Sequence, residues 1–159
     1  MGQATQQELN VEKFIFMVCI FVLFLKVLLT NFRQGKATTM ANNRIPEDYE
    51  AFGGKLRQKH EVTDYHKLDE TRWKRQVMND LENIPIALIV FLISFSVNNN
   101  SASVITNDVC IITFTVARII YTIAFAYALQ PWRTLFWFIA IAATVASGIN
   151  GIVEAAKII

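Results

Sequence analysis

Four apolar segments of near membrane-spanning length constrain the fold of this chain more than any other feature. Each holds at most one charged residue, and they cover residues 14–29, 84–97, 109–129 and 135–153. A spanning helix needs ~20 mostly apolar residues, and in hydrocarbon the backbone groups of each segment must hydrogen-bond to one another. We therefore expect an all-α membrane protein, a bundle of four transmembrane helices.

The whole chain, residues 1–159, is predicted to be one membrane domain. Extending the apolar segments to full spans gives helices at about 11–38, 70–97, 104–129 and 132–156, with a long loop at about 39–69. Hydrophobic residues make up 53% of the chain and charged residues 18%, on the membrane side of the usual ~45–50% and ~25%. The first segment follows Glu8 and Glu12 and precedes no small-residue cleavage site, so we expect a retained helix rather than a signal peptide.

The distribution of basic residues predicts which connections face the cytosol. Ten of the fifteen Lys and Arg residues lie in positions 31–75, whereas the connection 98–108 has none. Because cytosolic loops are enriched in Lys and Arg, the first and third connections are expected in the cytosol and both termini on the opposite side. The small net charge of +2, without a basic run interleaved with aromatic residues, argues against a nucleic-acid partner.

Polar residues within or beside the apolar segments are candidates for a binding site. Arg118 lies near the middle of the third helix, where a charge costs ~2.5–3.5 kcal/mol, so it needs a partner, and Glu82 is the expected one. Lys26 lies close to the end of the first helix, so it either joins a site or reaches the headgroups. Spacings of 3, 4 and 3 place a set of polar residues on one face of the second helix: Arg72, Arg75, Asn79 and Glu82.

The chemistry of that face suits a small zwitterionic ligand with several carboxylates. Its cations would take the carboxylates, and Glu82 would take an ammonium group. This description fits glutathione, and it also fits other anionic peptides and nucleotides.

Other features are predicted to serve packing. Cys19 and Cys110 lie inside apolar segments, where a free cysteine behaves as a small hydrophobic residue. Ala143, Ser147 and Gly151, at spacings of four, form a ridge of small residues that favours close approach of helices. No metal site is predicted.

Residues 72–85 (RWKRQVMNDLENIP) and 116–125 (VARIIYTIAF) resemble the two long motifs of the MAPEG family, the membrane-associated proteins of eicosanoid and glutathione metabolism. The PED turn at 46–48 and the PWRT run at 131–134 also match, so the resemblance covers nearly the whole chain. The NDLENI form is most similar to the microsomal glutathione transferase 1 branch, with the prostaglandin E synthase branch next. A channel or transporter has little support, because four spans without internal symmetry lack the repeats typical of transporter folds.

The resemblance implies a homotrimer that binds glutathione as co-substrate near the cytosolic face and takes lipophilic electrophiles or lipid hydroperoxides from the bilayer. It implies residence in the endoplasmic reticulum membrane or the mitochondrial outer membrane, without separating the two. Arg133 would stabilise the glutathione thiolate, Thr134 stands where the synthase branch has serine, and Asp48 matches an acidic residue near the synthase site. Either Arg33 or Lys36 would be a further basic ligand. The glutathione-binding residues would be Lys26, Arg75, Asn79, Glu82, Arg118 and Tyr121.

Three positions depart from the family pattern. Tyr121 stands where these branches usually carry His, and it can still donate a hydrogen bond. Phe125 stands where they usually carry Tyr, so a hydroxyl contact there is lost. Tyr49 occupies the place of a reactive Cys, so activation by thiol modification is not expected.

The function that follows is that of a membrane-bound glutathione transferase, with peroxidase activity toward lipid hydroperoxides. A glutathione-dependent prostaglandin E synthase-type isomerase is an alternative that Asp48 and Thr134 permit, although Met78 stands where that branch has Arg. A non-catalytic lipid-binding family member is the other alternative, and the intact Arg133 argues against it.

Overall fold

A computed structural model of the protein describes residues 4–51 and 61–157. The described chain forms five helices: α1 (Gln6–Met40), α2 (Pro46–Ala51), α3 (Asp64–Ser96), α4 (Ser101–Ala126) and α5 (Gln130–Ala156). Four of them, α1, α3, α4 and α5, are long and apolar enough to cross a membrane. The predicted all-α bundle of four transmembrane helices is confirmed.

The outer faces of these helices are apolar. On α1, Phe14, Phe21 and Phe24 are 59–69% exposed, and on α3 Ile86 and Ile93 are 60–64% exposed. A soluble monomer rarely exposes apolar patches of this size, because they would drive association in water. Lipid contact on these faces makes the chain a multi-pass membrane protein.

The helix bounds differ from the predicted ones mainly where polar residues continue a helix beyond its apolar part. α3 begins at Asp64 rather than near residue 70, and α1 begins at Gln6 rather than near residue 11. Hydropathy marks the part of a helix that meets lipid, whereas the helix itself continues as long as its backbone bonds can form. The two consecutive glycines that follow α2 in the sequence, at positions 53 and 54, lie outside the described residues.

The described residues fall into two compact units. One unit contains the residues up to Leu25 together with those from Glu82 onward, and the other runs from Lys26 to Leu81. The first unit holds the α4–α5 pair and the membrane-inserted end of α3. The second holds the end of α1, α2 and the polar first half of α3.

The core of the first unit depends on small residues along α5. Gly151 lies so close to α3 that a Cβ on it would be 2.9 Å from the Ser94 Cα, nearer than real Cβ atoms come to backbone. Ala143 and Ser147 on the same ridge are also buried, and the Ser94 hydroxyl donates to the Ser147 carbonyl at 2.9 Å. The predicted packing role of this ridge is confirmed, because side chains any larger would separate the two helices.

A buried polar network ties the helices of the first unit together at the end where α1 starts. The Glu12 carboxylate, 1% exposed, accepts hydrogen bonds from the Asn98 and Asn107 side-chain amides. The Asn107 side-chain carbonyl in turn accepts from the Ser147 hydroxyl at 2.5 Å, and the Ser103 hydroxyl donates to the Asn98 carbonyl at 2.6 Å. α1, the turn after α3, α4 and α5 are thereby fixed to one another at this end.

The orientation of the chain gives the first prediction. Asn99 is exposed in the turn between α3 and α4, a connection expected on the non-cytosolic side. A longer loop with a glycosylation sequon inserted at Asn99 should be glycosylated in microsomes, whereas the native Asn99-Asn100-Ser101 sequon should stay unmodified because it lies so close to the membrane. A gel shift that disappears on deglycosylation measures this. A sequon placed near Lys59 is the control, and its modification would show that the orientation is the reverse.

Candidate active site

The turn between α4 and α5 places Arg133 beside the last turn of α4. Ala128 has a left-handed backbone with φ of 57°, and the Leu129 N–H donates to the Ala124 carbonyl at 2.8 Å, an arrangement that commonly ends a helix. Pro131 then lies in the first turn of α5, where its missing N–H would have had no helical partner. Arg133 follows two residues later, in the first turn.

Two aromatic rings lie between two cations at this end of the first unit. The guanidinium carbon of Arg118 lies 4.8 Å from the Tyr121 ring centroid, and that of Arg133 lies 5.0 Å from the Phe125 centroid. The two ring centroids are 6.0 Å apart. Both distances from cation to ring fall within the range of a cation–π interaction. We call Arg118, Tyr121, Phe125 and Arg133 the arginine–aromatic column.

Burial differs along the column. Arg118 is completely buried, and Tyr121 and Phe125 are 6% and 7% exposed. Arg133 is half-buried, so its guanidinium can meet a ligand. Thr134, the other residue expected to act near the thiol, is exposed on the same turn of α5. Arg133 is therefore the accessible end of the column.

The prediction of an ion pair between Glu82 and Arg118 is wrong. Glu82 is exposed on α3, Arg118 is fully buried, and no ion pair joins them in the part of the chain that the structure describes. The buried carboxylate of this stretch belongs instead to Asp80, which is 1% exposed. Positions two apart on a helix point to nearly opposite sides, so Asp80 and Glu82 cannot both face inward.

Lys26 contacts the carboxylate of Asp80 inside the second unit. The ion pair is buried, since Lys26 is 8% exposed and Asp80 1%. Gln76, also buried, donates its side-chain amide to the two Asp80 oxygens at 3.2 and 3.3 Å. The family resemblance assigns Lys26 to glutathione binding, and no motif in the sequence singles out Asp80 or Gln76. The i, i+4 spacing of Gln76 and Asp80 was the available signal, because such a pair shares one helix face.

Arg33 and Lys36, the two candidates for a further basic ligand, differ in their surroundings. Arg33 pairs with the Asp69 carboxylate at 3.2 Å and lies over the Trp73 ring, 5.1 Å from its centroid. The Trp73 indole N–H donates to the same carboxylate at 3.2 Å. Lys36 is exposed and makes no ion pair with the residues that the structure describes. Lys36 is therefore the less engaged of the two cations.

Arg75, Asn79 and Glu82 follow one another at spacings of four and three along α3, as predicted. Arg75 and Glu82 are exposed and Asn79 is half-buried. A guanidinium, an amide and a carboxylate are the types of group that bind the carboxylates and the ammonium of a zwitterionic ligand.

Asp48 lies in the first turn of α2 and is held there by Arg44. The guanidinium of Arg44 is 3.4 Å from the Asp48 carboxylate, donates to the Thr39 hydroxyl at 2.6 Å and reaches the Gly35 carbonyl at 3.3 Å. The Arg44 backbone N–H donates to the Tyr49 hydroxyl at 3.2 Å. Arg44 thus joins the end of α1 to α2, and Asp48 already has a cationic partner.

Comparison with known proteins identifies the family. The model of the MAPEG family matches residues 15–153. No match was found among curated proteins or among solved structures. The matched range overlaps all four membrane-spanning helices and includes the polar face of α3 and the arginine–aromatic column. This protein belongs to the MAPEG family.

Proposed function

We propose that the protein is a membrane-bound glutathione transferase that conjugates glutathione to lipophilic electrophiles and reduces lipid hydroperoxides. The observation that carries the proposal is Arg133, a half-buried guanidinium held in the first turn of α5. Membership of the MAPEG family supports chemistry related to glutathione or lipid substrates.

The position of Arg133 suits a group that stabilises a thiolate. A free thiol titrates near pKa ~8.5, so only a few per cent is ionised at neutral pH. A neighbouring guanidinium lowers the pKa of a thiol, and the N-terminus of a helix adds partial positive charge. α5 begins at Gln130 without a side-chain cap, so the partial positive charge of this helix end and the Arg133 guanidinium can act on the same anion.

Recognition of glutathione would use the polar face of α3. Arg75 and Lys36 are exposed cations that can take the peptide carboxylates, and Glu82 can take the ammonium group. Asn79 adds an amide, and the family resemblance also assigns Arg118 and Tyr121 to glutathione binding. Because Lys26 is engaged with Asp80, its proposed role is to hold this part of α1 and α3 in place.

The reaction has two forms with the same nucleophile. In conjugation the thiolate sulfur forms a bond to an electrophilic carbon, and a leaving group such as chloride departs with the electron pair. In peroxide reduction the thiolate attacks an oxygen of the O–O bond, which gives an alcohol and a glutathione sulfenic acid. A second glutathione then converts the sulfenic acid to the disulfide and water.

The proposal includes a homotrimer in the endoplasmic reticulum or outer mitochondrial membrane. Arg75 and Glu82 are charged and exposed on a helix that crosses the membrane, and such groups are costly in lipid unless protein or water covers them. A second copy of the chain would provide that cover.

The isomerase alternative depends on Asp48. Its carboxylate is engaged by Arg44 at 3.4 Å, and Met78, in place of the synthase arginine, is 55% exposed. Both observations favour the transferase. A non-catalytic lipid-binding role would not explain why the Arg133 guanidinium is accessible.

Turnover by the purified protein in liposomes tests the proposal. With glutathione, we expect conjugation of chlorodinitrobenzene and reduction of cumene hydroperoxide, and little isomerisation of a prostaglandin endoperoxide. Endoperoxide isomerisation without conjugation would establish the alternative, and no turnover with any of the three would leave a binding protein.

Glu82→Gln separates recognition from folding in the same assay. Because Glu82 is exposed and makes no ion pair with the described residues, its replacement should not destabilise the protein. A charged hydrogen bond contributes ~1.5–3 kcal/mol, so the dissociation constant for glutathione should rise at least about tenfold. Unchanged affinity would exclude Glu82 as the ammonium ligand. Glu61→Gln, the same change at another exposed carboxylate, is the control.

A further inference from the structure

We propose that Phe125 is a positioning residue that holds the Arg133 guanidinium in the orientation in which it stabilises the glutathione thiolate. The inference rests on the proposed function, since it concerns how Arg133 acts. The inference extends that function, because it gives a role to the Phe125 ring, which stands where other branches of the family usually carry a tyrosine hydroxyl.

The contact with Phe125 is what orients Arg133 within the described chain. Arg133 makes no ion pair with the described residues, and its guanidinium carbon lies 5.0 Å from the centroid of the Phe125 ring. An arginine side chain has several rotatable bonds, so a guanidinium without a fixed contact samples many positions. The face of an aromatic ring carries partial negative charge and attracts a cation without neutralising it. Arg133 can therefore be held in place while its full charge stays available to an anion.

Phe125 can perform this task because its own ring is fixed. It is 7% exposed on the last turn of α4, and its centroid lies 6.0 Å from that of Tyr121 with an angle of 41° between the rings. Tyr121 in turn packs against the fully buried Arg118. The column thus extends from a buried, rigid cation to an accessible one.

The column also explains how the chain can lack a hydroxyl at position 125. A tyrosine there could bind the thiol directly through its hydroxyl, which phenylalanine cannot do. In this chain the ring acts on the sulfur only through Arg133. Activity should therefore depend on the aromatic face at position 125, whereas a hydroxyl there should not be required.

Variants at position 125 test the inference, with the thiolate absorbance of bound glutathione measured against pH. Phe125→Leu should raise the pKa of the bound thiol and leave about two- to fivefold less thiolate at neutral pH, the change that corresponds to losing one exposed cation–π contact. The KM for glutathione should change little, because the substitution leaves the charged recognition groups of α3 unchanged. Phe125→Trp should retain the wild-type titration, since its ring face attracts cations at least as strongly.

Fluorinated phenylalanines at position 125 keep the inference testable if Phe125→Leu does not fold. Successive fluorine atoms weaken the negative ring face while changing the volume little, so the thiolate fraction should fall stepwise with fluorination. Titration curves that coincide across the fluorinated series would overturn the inference, because a purely structural ring would give that result.

Arg133→Ala distinguishes failure of this inference from failure of the proposed function. If Arg133→Ala lowers the thiolate fraction while Phe125→Leu does not, Arg133 acts without positioning by Phe125. If Arg133→Ala has no effect, the role proposed for Arg133 itself is wrong. If Arg133 stabilises the thiolate and Phe125 positions Arg133, the double variant should titrate like Arg133→Ala alone.

Discussion

Replacing Arg133 with alanine is expected to lower glutathione-dependent turnover near neutral pH by about ten- to a hundredfold. The guanidinium favours the thiolate, so its loss raises the pKa of the bound thiol, and each unit of increase leaves about tenfold less thiolate. Thiols beside a cation or a helix N-terminus titrate at ~3.5–7.5. Since the start of α5 remains in the variant, we expect a rise of about one to two units rather than complete loss of activation.

The pH dependence identifies this mechanism. Turnover by Arg133→Ala should recover as the pH rises toward the pKa of the unassisted thiol, while that of the wild type should already be level there. The measurement is thiolate absorbance and initial rate over the same pH range. Arg133→Lys, which keeps the charge, should lie between the two, and Lys157→Ala should match the wild type. Coincident titrations of wild type and Arg133→Ala would reduce Arg133 to an interfacial anchor.

Replacing Lys26 with methionine is expected to destabilise the protein by ~3–5 kcal/mol, because it removes one member of a buried ion pair. Lys26 contacts Asp80 with both side chains almost inaccessible. Methionine has a similar length and fills the same space, so the loss reflects charge rather than volume. Unfolding in mixed micelles by increasing fractions of a denaturing detergent would measure the difference.

A double-variant cycle separates this pair from general damage to the helices. Asp80→Asn alone should also destabilise the protein, and the double variant Lys26→Met with Asp80→Asn should be more stable than the sum of the single effects predicts. Lys13→Met is the matched control, since Lys13 is an exposed cation on the same helix. Additive effects of the two single variants would show that Lys26 and Asp80 do not stabilise one another.

The sequence correctly predicted the membrane spans because lipid imposes a strong, local requirement on each segment. Length and apolarity suffice to identify a spanning helix, and the four segments read from the chain are the four long helices of the structure. The ridge of Ala143, Ser147 and Gly151 was equally readable, since only small residues permit such close approach. Helix ends were less predictable, because polar residues at 64–69 extend α3 beyond the membrane without an apolar signal.

The partners of the charged residues could be identified only from the structure. Charge and spacing suggested that Glu82 would neutralise Arg118, but a pattern along one helix does not say which of its faces is buried. Asp80 and Glu82 differ by two positions, and the fold makes the first a buried partner of Lys26 and leaves the second exposed. The sequence could not distinguish Arg33 from Lys36 for a similar reason. The residues that engage Arg33, Asp69 and Trp73, are distant from it in sequence.

By itself the sequence determined the class of the protein, its four spans and the residue types available for glutathione chemistry, because these depend on hydropathy and on short motifs. Only the tertiary structure decided which charges are buried with partners and which remain accessible, and that the rings of Tyr121 and Phe125 lie against Arg118 and Arg133. Such contacts depend on how α4, its closing turn and α5 are placed in space. A cation and the ring that holds it need not be close in sequence, because the interaction requires only that the cation lie over the ring face within about 6 Å of its centre.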